Sequence, residues 1–278
     1  MSETWSAEDY ARIRSDAEAI VARYPDFPRS ALGPMLHLVQ SEDGFVSPRG
    51  IALCAEVLDL SRAEVSAVAT FYSQYRRHPN GVYNVGVCVN PLCGVLGGEL
   101  IWEALSEHVG VGHDETTEDG LITLEALECN AACDHAPVVM VNWEFFDHQT
   151  PASTIALVED LRAGVDIHPT RGADKVHTFK EVSRVLAGFE DGHADEGPSA
   201  DAPSLLGKRI AEENGWRAPR VEQPVGTEDA EAAGTARVGE EHSSAARKPA
   251  TEADVTPERV EKPGTDEPEA GTTAKEEK

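Results

Sequence analysis

Four of the five cysteines fall into two closely spaced pairs: Cys88 and Cys93 in the segment CVNPLC, and Cys129 and Cys133 in CNAAC. This arrangement limits the fold more than any other feature of the chain. If the four thiols serve one site, two separate segments must carry them to the same place. Each pair lies where a β-branched, apolar run ends, VYNVGVC at residues 82–88 and LITLEAL at residues 121–127. Loops at strand ends hold functional groups on a rigid frame.

Four thiolates are the ligand set of a [2Fe–2S] cluster, two per iron. The wider four-residue bite of the first pair suits a group with two metal atoms. A zinc knot also uses paired cysteines, with two intervening residues the most familiar spacing. A thiol–disulfide enzyme normally shows Cys-x2-Cys, which is absent. Gly94, Gly97 and Gly98 follow Cys93 and precede a helix. They allow close backbone approach to the sulfurs and aim helix N–H groups at negative charge. Ala131 and Ala132 keep the second loop slim. His113 and His135 are surplus beside four cysteines and read as surface residues. The run Asp114-Glu115 reads as a solvated loop.

Upstream, the pattern is helical. Ser6 with Asp9 caps a helix that Tyr24-Pro25 ends, with Tyr10, Ile13, Ala17, Ile20 and Val21 as its apolar stripe. A second helix is expected over residues 30–40, and the loop Glu42-Asp43-Gly44 follows. Ser47-Pro48 opens a third, to about Leu58. Within it, Cys54 between Leu53 and Ala55 reads as a buried small hydrophobe. Ser61 and Glu64 form a capping box for a fourth helix.

After Tyr75 the texture changes. Pro79-Asn80-Gly81 is a turn, and the first strand leads to Cys88. A helix is expected over residues 98–109, with Leu100, Ile101, Leu105 and Val109 inward. Asp119-Gly120 turns into the strand that leads to the second cysteine pair. Strands at residues 137–141 and 144–146 flank the turn Asn142-Trp143. A helix over residues 151–163 is stopped by Gly164. The order strand, helix, strand, hairpin, helix gives a small sheet covered by helices, an α+β fold.

Hydrophobic residues make up 40% of the chain, enough for a core, and the net charge is −26. That charge disfavours nucleic acid and anionic membrane surfaces, which attract Lys and Arg. A basic partner, or a solubilising role, suits it better. The polar start lacks the regions of a signal peptide, and no apolar run reaches the ~18–20 residues of a membrane span. A cytosolic location with no direct membrane insertion is therefore expected. There thiols stay reduced, and clustered cysteines point to metal or redox work. Residues 219–278 hold 15 Asp/Glu and 8 Lys/Arg, with no Phe, Trp or Tyr. This stretch reads as a disordered acidic tail. Residues 203–216 (PSLLGKRIAEENGW) read either as one short amphipathic helix that docks on a partner or as a transient helix within the tail.

The block CVNPLC–GVLGGELIWEAL–TTEDGLITLEALECNAACDHAPVVMVN resembles the E subunit of the proton-pumping NADH:quinone oxidoreductase, respiratory complex I. Tyr24-Pro25, Arg29-Ser30-Ala31, Gln40, Gly44, the run Val68-Ala69-Thr70-Phe71-Tyr72 and Pro79 fit as well. The likeness covers roughly residues 24–164. It implies a helical N-terminal domain (1–78) and a thioredoxin-like [2Fe–2S] ferredoxin domain (79–166). A partly ordered extension (167–218) and the disordered C-terminal tail (219–278) complete the reading. It carries the ligand role to Cys88, Cys93, Cys129 and Cys133, with one [2Fe–2S] cluster as cofactor and no catalytic residue in this chain alone. It implies two partners: an F subunit with FMN and the NADH site, and an iron–sulfur G subunit. The complex would sit peripherally on the cytoplasmic side of the membrane. No Gly-x-Gly-x-x-Gly stretch occurs, in keeping with nucleotide binding by a partner. The same fold serves soluble NAD-linked hydrogenases and formate dehydrogenases, and a zinc-stabilised interaction protein is the reading from another class. One departure stands out: the family commonly has Cys-Leu-Gly-x-Cys at the second pair, where this chain has Asn130 and Ala131.

Overall fold

A computed structural model describes residues 4–217 apart from 194. The proposed tail at 219–278 lies outside the described residues.

The N-terminal region forms helices where its caps and stripes predict. Ser6 Oγ accepts the Asp9 N–H at 3.0 Å and opens α1 (Ala7–Val21). Ile13, Ala17 and Ile20 share one face and are fully buried. α2 (Leu32–Asp43) is entered through a 3-10 turn, Pro28–Ala31, and ends at Gly44 with φ 78°. It thus runs three residues beyond the expected end. α3 (Pro48–Leu58) is capped by Ser47, and α4 (Arg62–Phe71) by the Ser61–Glu64 box. α3 crosses α2 so closely that a Cβ on Gly50 would lie 2.1 Å from Val39 Cγ1. Cys54 sits fully buried in this core, where desolvation pushes its thiol up to about 12.

The second half is a five-stranded sheet in the order β2-β3-β1-β4-β5. The strands are β1 (Tyr83–Cys88), β2 (Glu115–Thr116), β3 (Ile122–Leu127), β4 (Val139–Val141) and β5 (Glu144–Phe146). β1 and β3 run parallel, with Cys88 opposite Leu127. Their connection contains α5 (Pro91–Val95) and α6 (Gly98–Val109). β4 joins β1 antiparallel, and the β4–β5 turn holds Asn142 and Trp143 at positive φ. α6 and α7 (Pro151–Arg162) pack against each other on the sheet. Val85, Val87, Ile122, Leu124 and Val139 fill the layer beneath them. On α6, Ile101 and Leu105 are buried, but Leu100 is 62% exposed, so the expectation that it faces inward is wrong. Four inward residues would make too wide a stripe for a two-layer contact.

Side chains alternate along a strand, and β3 uses both faces. Ile122 and Leu124 enter the apolar core, while Thr123 and Glu125 are buried on the other side. There Arg76, just beyond the helical region, hydrogen-bonds Glu125 and reaches Asp114 at 3.1 Å. Asp114 also pairs with His78 at 2.8 Å. The segment read as solvated loop is therefore part of an ion network joining helices to sheet, with Glu115 in β2. Removing one partner of the buried Arg76–Glu125 pair would strand the other charge, at a cost of about 3–5 kcal/mol.

The extension returns to both parts. Thr178 and Glu181 form a capping box for α8 (Phe179–Leu186), which lies along α2. Phe179 is buried, stacks on Trp143 at 5.4 Å between ring centroids and donates its N–H to the Val82 carbonyl at 2.9 Å. Arg184 reaches Asp16 at 3.0 Å, and Lys180 the Glu42 carbonyl at 2.8 Å. The short amphipathic helix expected within 203–216 is α9 (Leu206–Glu213), with Leu205, Leu206 and Trp216 exposed. Among the described residues, no helix is long and apolar enough to cross a membrane.

Candidate functional site

All four cysteines of the two pairs come from one end of the sheet. Cys88 closes β1, and its N–H donates to the Val138 carbonyl at 3.1 Å. The chain then turns through Asn90 into α5, a short helix unforeseen from sequence, which carries Cys93. Because β3 is parallel to β1, it ends beside Cys88, and Cys129 follows two residues later. Cys133 opens a 3-10 turn, Cys133–His135.

The environments of the two pairs differ. Cys88 and Cys93 are buried and pack with Ala132 and Val138, edged by Ala136 and Phe145. Burial pushes the Cys93 thiol up to about 11, against a hydrogen bond from the Val138 backbone. The neighbouring Cys88 and Cys133 thiols push it in the same direction. Cys129 and Cys133 are exposed. The Ala131 N–H donates to Cys129 Sγ at 3.3 Å, with Ala131 held at φ 51°. Ala131 occupies the position where the resembling pattern has glycine, and its conformation is one that glycine adopts without strain.

The glycines after Cys93 divide their roles. Gly97 begins α6 at φ 114° in open space. A Cβ on Gly98 would lie 2.4 Å from the Cys88 carbonyl oxygen and 2.9 Å from that of Cys93. Gly98 thus lets α6 rest directly on the backbone of both buried cysteines. This is a close approach to carbonyls, not to sulfurs.

His135, expected at the surface, is only 5% exposed. Its Nε2 pairs with Asp201 at 3.2 Å, and its ring meets His148 edge-on at 5.5 Å. His113 is exposed, as expected, and its Nδ1 accepts the Ala126 N–H at 3.0 Å. Four cysteines leave neither histidine needed as a ligand. Beside Cys129 a polar groove runs between the helices and the sheet, lined by Tyr72, Arg77, His113 and Glu128. On the α5–α6 side, Leu92, Val95, Leu96 and Leu100 leave an exposed apolar surface.

Four cysteine thiolates match the ligand set of a [2Fe–2S] group, two per iron, and both pairs reach the same end of the sheet.

A parallel strand pair that delivers two cysteine loops to one sheet end, with helices over one face, defines a [2Fe–2S] protein of the thioredoxin-like class. The thioredoxin-like [2Fe-2S] ferredoxin family matches residues 17–162. The E subunit of the NADH-quinone oxidoreductase of Mycobacterium tuberculosis is 56% identical over 210 residues, covering 75% of this chain and 82% of that one. NADH-quinone oxidoreductase subunit 2 of Thermus thermophilus is 39% identical over 149 residues, covering 53% of this chain and 82% of its own. Among solved structures, an NAD+-reducing [NiFe]-hydrogenase in the air-oxidised state aligns with 48% of this chain and 23% of its own, at 20% identity and a TM-score of 0.44. The chain belongs to the thioredoxin-like [2Fe–2S] ferredoxin family, within the branch formed by the E subunits of NADH-quinone oxidoreductases.

Proposed function

We propose that Cys88, Cys93, Cys129 and Cys133 hold one [2Fe–2S] cluster, and that the chain exchanges single electrons with FMN in a partner F subunit. An iron–sulfur G subunit would complete the NADH dehydrogenase module. The observation that carries this reading is the delivery of both cysteine pairs to the shared end of β1 and β3. The cluster, when bound, supplies one-electron redox chemistry. The chain's own residues position and tune. Cys88 and Cys93 offer a dry, fixed half of the site, and the Ala131 N–H donates to the sulfur of Cys129. Such N–H bonds stabilise negative charge on the ligands and are one control on potential. The acidity of the chain, −26 overall, opposes adding an electron and favours a low potential within the roughly −700 to +450 mV span of protein clusters.

The exposed apolar residues Leu92, Val95, Leu96 and Leu100, beside buried Cys93, support docking of a partner over the cluster. Placement within a complex on the cytoplasmic side of the membrane follows from this reading. Aerobically purified chain should be brown and contain iron and acid-labile sulfide at about two each per chain. A colourless protein with stoichiometric zinc would defeat the proposal. Co-purification with a flavin-binding subunit tests the partner, and a redox titration giving a clearly positive potential would count against the tuning argument.

A further inference from the structure

A second donor cluster lies far along the chain from the cysteines. His177, His193 and Glu196 place one ligand atom each within 4.8 Å of the others. We propose that these three residues bind one divalent transition-metal ion of the zinc class, which ties the two ends of α8 together.

Several observations converge. His177 Nε2 is shut off from solvent and has no hydrogen-bond partner among the described residues, although buried polar atoms are normally satisfied. The rings of His177 and His193 lie 4.9 Å apart at 39°. Glu196 is held for the purpose: one carboxylate oxygen accepts the Asp174 N–H at 3.0 Å, and the other turns to His193 Nδ1. The His193 backbone is fixed in turn by Asp191 Oδ1 at 3.0 Å. Oriented donors of this kind are typical of the outer shell of metal sites. Glu144 on β5 lies close to His177 and Glu196, and burial pushes its carboxyl above the usual carboxylate range.

The donor chemistry selects the ion. Two imidazole nitrogens and one carboxylate suit zinc and its neighbours, whereas calcium and magnesium prefer oxygen alone. Three protein ligands leave a fourth tetrahedral position for water. At bond lengths near 2.0 Å the donors would stand about 3.3 Å apart, so any pair need close by at most about 1.5 Å, while His193 Nδ1 and the Glu196 carboxylate, already in contact, would move apart. Side-chain rotation of exposed His193 can supply this movement.

Position gives the ion its consequence. His177 immediately precedes Thr178, the cap of α8, and the other two donors follow the helix. α8 buries Phe179 and lies along α2. An ion at this point would close a loop around the segment that joins the sheet to the helical region. The rival explanation is an ordinary surface pair between His193 and Glu196 that needs no metal.

The experiment uses untagged, cluster-loaded full-length chain, equilibrated with excess zinc and dialysed against a weak chelator. Wild type should retain about one more zinc than the His177→Gln/His193→Gln variant, and its melting temperature should rise with zinc where the variant's does not. His193→Gln alone, at an exposed position, should weaken zinc binding by roughly tenfold or more without altering the fold. Iron and sulfide content should match across all three. Zinc on the cysteines would appear equally in each chain, so failure of the cluster assignment leaves the difference readable. Equal zinc retention in wild type and both variants would overturn the site.

Discussion

Cys88 and Cys93 stand on regular structure, at the end of β1 and inside α5, and are 3% and 4% exposed. Cys129 stands exposed on a loop and Cys133 exposed at the start of a 3-10 turn, with Ala131 in a left-handed conformation between them. On the proposed assignment of all four as ligands, the contrast is one way to build a four-ligand site without four rigid ligands. The buried pair is placed by the fold itself, because β1 is an inner strand and α6 presses on the backbone of both residues. The exposed pair is placed by local turns and, on the proposed assignment, would complete the site on loading. Preorganising one half limits the entropy lost on binding, and an open second half leaves a route for loading.

The strongest way to break this contrast is to remove a thiol. Cys93→Ser should abolish or nearly abolish bound iron and sulfide, whereas Cys54→Ser should leave both unchanged, as read by elemental analysis and visible absorption. The reverse pattern would mean the ligands have been misassigned. Next comes reactivity. In the iron-free chain, Cys129 and Cys133 should alkylate roughly tenfold or more faster than Cys88 and Cys93. Cys54, buried with its thiol pushed up to about 12, should be slowest. Mass spectrometry over a time course reads this order, and uniform labelling would show that the first pair is not shielded. The same logic sets a pH dependence. Burial keeps Cys93 protonated until about 11, so iron binding near neutrality must expel a proton. Reconstitution yield should therefore rise between about pH 7 and about pH 9.

Two backbone tests sharpen the comparison further. Gly98→Ala forces a Cβ to 2.4 Å from the Cys88 carbonyl oxygen. It should destabilise the chain by about 1–3 kcal/mol in urea unfolding and lower cluster occupancy. Gly207→Ala, on α9 where an added Cβ meets nothing within 4 Å, is the control and should be near neutral. Ala131→Gly is the smallest effect and has the opposite sign. Relief of the left-handed conformation is worth about 1–2 kcal/mol. The freer unfolded chain takes back about 0.4–1 kcal/mol, leaving a net gain of roughly 0.5 kcal/mol. A loss of stability would indicate that the Ala131 loop is not strained.

Much of the local structure is legible without coordinates. The capping pairs at Ser6, Ser47 and Ser61 open the helices they promise, and Asn142-Trp143 makes the hairpin turn. These signals work because each is settled within four or five residues. α8 escapes a reading by pattern although Thr178 and Glu181 spell the same capping box. Leu100 reads as inward because hydrophobicity alone does not tell a core face from a docking face. Asp114 and His135 read as surface residues because their partners, Arg76 and Asp201, lie 38 and 66 positions away.

The sequence by itself determined the type of most elements, the spacing of the cysteine pairs and the family they belong to, since spacing and capping are local properties. Only the tertiary structure decided which pair is buried, that Gly98 touches backbone and not sulfur, and that His177 meets His193 and Glu196 across α8. Those outcomes depend on how distant segments divide a limited interior, and no short stretch of chain contains that information.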